Sequence, residues 1–412
     1  MFQPARGTRD LLPDECRSMR YVSDTSKKLA SLYGFEEVDT PIFEFADVFR
    51  HMGETSDVVT KETYTFADRG EQDLTLRPEG TAGVMRAVIS NGLTQQTPLK
   101  YFYSGPMFRY ERPQKGRYRQ FHQIGVELLG VASPVADVEV MALGQQIIQS
   151  LDLQGDYTLE LNSLGDNESR DSYRAALIEY LHDFRSQLSE ESQMRLEKNP
   201  LRILDSKSDS DQKLLLDAPV YRAHLNAASE DHFSRVIEML EGLKIPHRLN
   251  YRIVRGLDYY CHTAFEFVSD SLGAQGAIIA GGRYDGLVKR MGGSDLPGVG
   301  WAGGIDRLAL LLQNPPAGES SHMFVPLGEA AEAKAVPLMQ LLRNQGLRVE
   351  MGYSGNMSKR LKKANQMQAK TAIIIGEDEL EQGKAMVRNL QSGDQTAIEF
   401  DNIATFLKSI DA

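Results

Sequence analysis

The sequence predicts an α+β protein assembled from several parts, and three observations carry that expectation. Residues 106–127 form a long hairpin pattern, two apolar-polar runs around a basic turn region that contains Pro and Gly. A charged, helix-rich block from 166 to about 248 interrupts a chain that elsewhere mixes strand and helix patterns, as if inserted into one sheet domain. The stretch Asn314-Pro315-Pro316-Ala317-Gly318-Glu319-Ser320-Ser321 is a linker, and strands alternate with helices beyond it, which predicts a small α/β domain. With 412 residues the chain has room for two or three domains.

Composition narrows the function classes. Apolar residues make up 41% and charged residues 25%, the mix of a globular protein rather than a disordered one. No apolar run is long enough to span a bilayer, so no membrane association is expected. The start, Met1-Phe2-Gln3-Pro4-Ala5-Arg6-Gly7, lacks the apolar centre of a signal peptide. Cys16 and Cys261 stand far apart, which indicates neither a disulfide framework nor a zinc site; a cytoplasmic location is the expectation. The formal net charge of −11 argues against a surface-wide nucleic-acid binder. The charge is uneven, however. Residues 321–412 hold eleven Lys/Arg and eleven Asp/Glu, and residues 106–123 hold five basic residues against one acidic, so a polyanion has local patches to bind.

In chain order, a helix is expected over about Asp14–Leu32, with Met19, Val22, Leu29 and Leu32 near helical spacing and Tyr33-Gly34 as its stop. Phe35–Val38 begins a strand broken at Thr40-Pro41. Because Pro cannot donate to a ladder, the strand belongs at an edge or an interface. Tyr64–Phe66 and Asp73–Arg77 read as a hairpin around Asp68-Arg69-Gly70. Pro78-Glu79-Gly80-Thr81 then opens a helix to about Ser90, with Thr81 as an N-cap-type residue and Glu79 placed to favour the helix dipole.

In the long hairpin, alternation puts Arg109 and Glu111 on one face of the first strand, and Phe121, Gln123 and Glu127 on one face of the second. An Arg, an aromatic ring, an amide and a carboxylate on one sheet suit a ligand with a phosphate, a flat base and an amine. The loop carries Arg112, Lys115, Arg117 and Arg119; a solvated charged tip fits the same residues.

Val138–Leu151 reads as a helix and Tyr157–Asn162 as a strand. Arg170–Leu188 and His232–Leu243 are the clearest helices of the charged block, and Leu249–Val254 returns to strand. Arg255–Glu266 reads as a strand, a Gly turn and an aromatic second strand. Gly298–Leu308 runs small residues into a helix, Ile305–Leu312. Neither a Walker-type loop nor a dinucleotide fingerprint occurs, which disfavours a P-loop ATPase or a Rossmann dehydrogenase. Past the linker, strands are expected at Met323–Pro326, Leu347–Met351 and Thr371–Gly376, and helices near Ala331–Asn344, Ser358–Met367 and Ile403–Ile410. Lys359, Arg360, Lys362, Lys363 and Lys370 make a basic stretch that reads by itself as a solvated helix face.

Several of these stretches resemble one family. Phe108-Arg109-x-Glu111, a loop, then Phe121 and Glu127 resemble motif 2 of class II aminoacyl-tRNA synthetases, in wording close to the histidyl-tRNA synthetases. The helix, strand and Pro41 resemble motif 1, and Gly298–Leu308 resembles motif 3. Arg255-Gly256-Leu257-Asp258-Tyr259-Tyr260-x-x-Thr263-x-Phe265-Glu266 and Ala280–Leu287 resemble the two histidine signatures.

The resemblance implies a mostly antiparallel catalytic sheet flanked by helices, in two parts (1–165 and 249–314), with a helical insertion at 166–248 that meets the tRNA acceptor arm. A linker at 315–322 and an anticodon-binding domain at 323–412 would follow. It implies a cytoplasmic homodimer that joins L-histidine to tRNA(His) through an adenylate, with ATP as substrate. Mg²⁺ would accompany the ATP with no protein ligand assigned, and no resident metal is expected. Arg109, Arg255 and Gln123 would be catalytic, the two arginines clamping the α-phosphate. Glu79, Gly80, Thr81, Gln123, Glu127, Arg255, Tyr259, Tyr260 and Tyr284 would hold histidine. Of these, Glu79, Thr81 and Gln123 take the amino group, and Glu127 and Tyr260 take the ring nitrogens. Arg109, Glu111, Arg117, Phe121 and Arg307 would hold ATP, with adenine between Phe121 and Arg307. Arg112, Gln114 and Arg119 would face the tRNA acceptor end. The alternative is a catalytically inactive, histidine-binding regulatory subunit, which is expected to lack the Arg255 signature and the C-terminal domain.

Overall fold

In the computed structural model, the described residues are 2–51, 59, 61–114, 116–254, 259–271 and 276–411. The chain divides into two compact units, Met1–Pro316 and Ala317–Ala412. The first begins with α1 (Pro13–Leu32) and continues through β1 (Glu36–Glu37), β2 (Phe43–Phe45), β3 (Tyr64–Ala67), β4 (Asp73–Leu76) and α2 (Thr81–Ser90). The long hairpin follows as β5 (Leu99–Phe108) and β6 (Gln120–Leu129), then α3 (Pro134–Ser150) and β7 (Tyr157–Ser163). A largely helical stretch comes next, including α4 (Asn167–His182), α5 (Glu190–Lys198) and α6 (Ala227–Gly242). The unit closes with β8 (His247–Leu249), β9 (Cys261–Ser269), β10 (Ala277–Arg283), β11 (Gly298–Gly304) and α7 (Ile305–Leu310).

The central sheet has eight strands in the order β1-β5-β6-β11-β10-β9-β7-β8. Its two outermost pairs, β1·β5 and β7·β8, are parallel, and the pairs between them are antiparallel. The short strand before Pro41 is therefore an edge strand, as its proline demands. Alternation divides the sheet into two faces. Ile124, Val126 and Leu128 of β6, with Val299 and Trp301 of β11 and Phe265 and Phe267 of β9, pack into one core with Val22 and Leu29 of α1, Leu143 and Ile147 of α3 and Phe233 and Val236 of α6. Trp301 fixes α3 by donating its indole N–H to the Val140 carbonyl at 2.7 Å. The residues between them in sequence, Phe121, Gln123, Gly125 and Glu127, take the opposite face, where the site lies.

A separate antiparallel sheet, β2-β4-β3, stands beside this one. Phe43 pairs with Leu76 and Leu76 with Tyr64; Phe45 pairs with Leu74 and Leu74 with Phe66. These six side chains share one face, opposite the buried Glu44, and Phe43, Phe45 and Phe66 remain exposed. In the helical stretch, Asp211 is buried and accepts from Ser189, Ser192 and Ser206, tying α5 to the segment after it.

The second unit holds β12 (His322–Pro326), α8 (Glu329–Asn344), β13 (Val349–Met351), α9 (Met357–Gln366), β14 (Thr371–Ile375), β15 (Lys384–Asn389), β16 (Gln395–Glu399) and α10 (Ile403–Asp411). Its sheet order is β13-β12-β14-β15-β16, parallel on the β13 side and antiparallel on the β16 side. The fully buried strands β12 and β14 read as continuous apolar runs, so they stand out in the sequence. β15 and β16 are polar on one side or both and do not.

Four local expectations need correction. β5 ends at Phe108, so Arg109 and Glu111 belong to the connecting loop, although Arg109 N still donates to Arg119 O at 2.9 Å. Residues 250–254 are not a strand. Asn250 accepts from Arg252 N at 3.1 Å, and the Asn162 amide donates to the carbonyls of Tyr251 and Ile253, which holds a turn instead. The helix expected over Arg170–Leu188 ends at His182 and gives way to a short 3₁₀ turn. Thr81 is the first residue inside its helix, not its cap, because a carboxylate two residues earlier already serves the free N–H groups.

Candidate active site

That carboxylate is Glu79. One oxygen accepts from Thr81 N and the other from Ala82 N, each at 2.7 Å, so the side chain caps α2 from the turn before it. Glu79 is buried, and burial raises its carboxyl above the usual range. The two backbone N–H groups and the Arg109 charge oppose that rise. Gly80 fits between this turn and β5 because a Cβ there would run into the Tyr103 ring.

Capping by Glu79 leaves the Thr81 hydroxyl available, and it donates to Glu127 Oε1 at 2.6 Å. The Tyr284 hydroxyl donates to the other Glu127 oxygen. Glu127 is 1% exposed, and burial pushes its carboxyl up to about 8 despite both hydrogen bonds. Gly300 of β11 is the register partner of Glu127 of β6, and a Cβ at that position would meet the Glu127 side chain. Tyr259, Tyr260 and Tyr284 form a buried aromatic group around this point, with ring centroids 4.5 to 6.3 Å apart.

A cavity of about 230 Å³ opens above it. Its walls include Glu79, Thr81, Gln123, Tyr259 and Tyr260, together with Arg109, Glu111, Arg117, Phe121 and Arg307. Ten of the residues singled out in the sequence thus meet in one space. Glu127 and Tyr284 sit one layer deeper, reached through Thr81. Gln123 is buried, and its Oε1 has no hydrogen-bond partner among the described residues.

Three guanidinium groups share this cavity. Arg109 donates to the Pro78 carbonyl at 2.8 Å and lies 5.3 Å from the centre of the Phe121 ring. Glu111 stands between two of them, 3.7 Å from Arg109 and 3.1 Å from Arg117. Arg307 donates to the Ala277 carbonyl at 2.7 Å; burial lowers its pKa, and the charges of Arg117 and Arg109 lower it further. Glu79 beside Arg109, Glu111 between Arg109 and Arg117, and Glu266 near Arg307 offset part of this charge, and the planar, fixed-charge guanidiniums suit a polyanionic ligand.

The remaining assignments lie further out. Arg112 and Gln114 are exposed in the loop, where Gln114 pairs with Arg117 across a tight turn. Arg119 is half-buried: its guanidinium covers the Tyr110 ring at 3.7 Å, and its N–H donates to Gly7 O. Arg255, together with Gly256, Leu257, Asp258 and Lys115, lies outside the described residues.

The sequence reading missed three contributors. Asp306 accepts from His122 N at 2.7 Å and from Arg9 at 3.1 Å, which fixes α7 against β6. Burial would raise this carboxyl, but those bonds hold it below the usual range. Arg9 also lies 4.4 Å from the centre of the Tyr118 ring, so the polar entry segment braces the loop between β5 and β6. Its Arg-Gly-Thr-Arg-Asp composition was the available signal. Tyr103, buried beneath Gly80 and Gly125, had none beyond the two glycines.

A family model described as histidyl-tRNA synthetase matches residues 7–308, and one described as anticodon binding domain matches 322–410. The chain is similar to the histidine–tRNA ligase of Rhodospirillum rubrum, 55% identical over 408 residues that cover 98% of each chain. It is also similar to that of Gluconacetobacter diazotrophicus, 52% identical over 410 residues and 99% of each. Among solved structures it resembles the apo histidyl-tRNA synthetase of S. aureus, with a TM-score of 0.82 and 35% identity, covering 99% of this chain and 100% of that one.

Proposed function

The chain belongs to the histidyl-tRNA synthetase family, and on that premise we propose how its cavity carries out ATP-dependent joining of histidine to tRNA. The carboxylate of histidine attacks the α-phosphorus of ATP, pyrophosphate leaves, and the terminal ribose hydroxyl of the tRNA then takes the histidyl group from the adenylate. The first step brings an anion to an anion, so positioning and charge neutralisation are what the protein must supply. Arg109 meets the α-phosphate, with Arg255 opposite it. Arg117 takes the outer phosphates, and Phe121 and Arg307 take the adenine, with Glu111 aligning Arg109 and Arg117. Mg²⁺ would enter with the ATP and offset part of the triphosphate charge, with no protein ligand assigned to it.

Histidine enters the deep end. Glu79, Gly80, Thr81 and Gln123 surround its amino group, and the open acceptor on Gln123 suits an ammonium donor. Glu127, tuned by Thr81 and Tyr284, reads one imidazole nitrogen and Tyr260 the other, with Tyr259 closing the pocket. A buried site built to hydrogen-bond a ring rejects side chains that lack those groups. The single observation that carries this reading is the cavity itself. Its walls bring a buried carboxyl and two tyrosines together with three guanidiniums, groups that suit the two halves of an aminoacyl-adenylate.

Arg112, Gln114 and Arg119 of the loop and the helical block at 166–248 face the acceptor arm of the tRNA, and the 323–412 segment reads its anticodon. The chain works in the cytoplasm as a homodimer. The exposed Phe43, Phe45 and Phe66 face supports that pairing, since a contiguous apolar face of this kind marks an interface. Nothing favours the regulatory alternative, because the anticodon-binding match is present. The deciding experiment is pyrophosphate exchange by the purified chain with each amino acid in turn. Histidine alone is expected to support it, and no exchange with histidine would overturn the proposal.

A further inference from the structure

The second unit carries an aromatic side chain that its fold does not use. Tyr353 is 84% exposed, in the turn between β13 and α9, and residues 354–359 are exposed with it. The turn is nevertheless firmly built. Gly352 N donates to Phe324 O at 2.8 Å. Arg360, 8% exposed, donates to Gly355 O at 2.8 Å and to Pro326 O, and pairs with Glu332 at 3.2 Å. Asn356 caps α9 by accepting from Lys359 N at 3.0 Å. A ring with two side-chain torsions on an anchored turn is a platform that loses little freedom when something stacks on it.

The surroundings select what stacks. Lys359, Lys362 and Lys363 are exposed on α9, and residues 352–370 contain no Asp or Glu. An exposed ring beside unopposed lysines matches a strand of RNA, whose unpaired bases stack on aromatics while its phosphates meet cations. The lysines alone are an ordinary solvated helix face. The exposed ring on a pinned turn a few residues before them in the chain is what a solvated face does not require.

We infer that Tyr353 is the platform on which one unpaired base of the tRNA anticodon loop stacks, with the lysines of α9 holding the adjoining phosphates. This rests on the aminoacylation reading. Stacking fixes the position of the loop and is indifferent to which base lies on the ring, so Tyr353 is a positioning residue and base identity is read elsewhere.

The test compares the full chain with Tyr353→Ala and Tyr353→Trp. Tyr353→Ala is expected to raise the KM for full-length tRNA on the order of tenfold, while Tyr353→Trp keeps it near the original. Histidine-dependent pyrophosphate exchange, which uses no tRNA, reports that the fold and the adenylate site are intact. A minihelix with the acceptor arm and no anticodon arm is expected to be charged equally by all three proteins. An unchanged tRNA KM in Tyr353→Ala, or an equal loss on the minihelix, would overturn the inference. Absent exchange in the unsubstituted chain would instead overturn the reading beneath it.

Discussion

Thr81 donates its hydroxyl to Glu127 at 2.6 Å across 46 positions of chain, and it is free to do so only because Glu79 caps the helix that Thr81 begins. The helix start and the buried Glu127 carboxyl are therefore one assembly. Disturbing either carboxylate alters the aim of the other.

Glu127→Ala leaves the hydroxyls of Thr81 and Tyr284 without their acceptor in a buried place. Each such loss costs about 1–3 kcal/mol. The histidine KM in pyrophosphate exchange is expected to rise at least about tenfold, with the ATP KM nearly unchanged. Equal shifts in both would remove Glu127 from the amino-acid pocket.

Glu127 also gives stability a pH dependence. Its carboxyl is raised from the ordinary 4.5 to about 8 in the folded chain, so the folded state holds a proton that the unfolded state has lost. Its contribution is full below about 4.5 and is lost as pH rises through about 8. Chemical denaturation at pH 5.5 and 8.5 is expected to show a larger fall for the parent than for Glu127→Gln. Parallel falls would mean that the carboxyl is not protonated in the fold.

Arg109→Ala removes one of three guanidiniums from the cavity. The exchange rate is expected to drop about 10²- to 10³-fold, the usual effect of deleting a charge-stabilising donor, with circular dichroism unchanged. Arg255→Ala is expected to act likewise. The double substitution should be far from additive if both arginines meet one phosphate. Additive losses would separate them.

The three exposed phenylalanines of the β2-β4-β3 sheet give the assembly test. Phe43→Asp with Phe45→Asp is expected to convert a dimer to a monomer in sedimentation at micromolar concentration. A sedimentation coefficient that does not change would move the interface elsewhere.

Much of this site was legible in the sequence because strands alternate. Phe121, Gln123 and Glu127 were placed together by parity alone, and they do share a face. Arg307 was singled out only through the resemblance of residues 298–308 to motif 3, since small residues running into an apolar helix do not by themselves mark a ligand residue. What escaped was contact between segments far apart in the chain. Glu79 reads as a dipole-favouring residue, and nothing local says that it replaces Thr81 as the cap. Arg9 reads as part of a turn-prone entry, and only the folded chain brings it to Asp306, 297 positions away. Likewise β15 and β16 lack a continuous apolar run, so the far side of the second sheet was invisible to periodicity.

The division of labour along β6 makes its reading frame unforgiving. Ile124, Val126 and Leu128 face the helices while Gln123 and Glu127 take the opposite face, so deleting a single codon anywhere between them would turn a carboxylate into the oil and an isoleucine away from it. Such a lesion would surface in a genetic screen as insoluble protein, never as a sluggish enzyme.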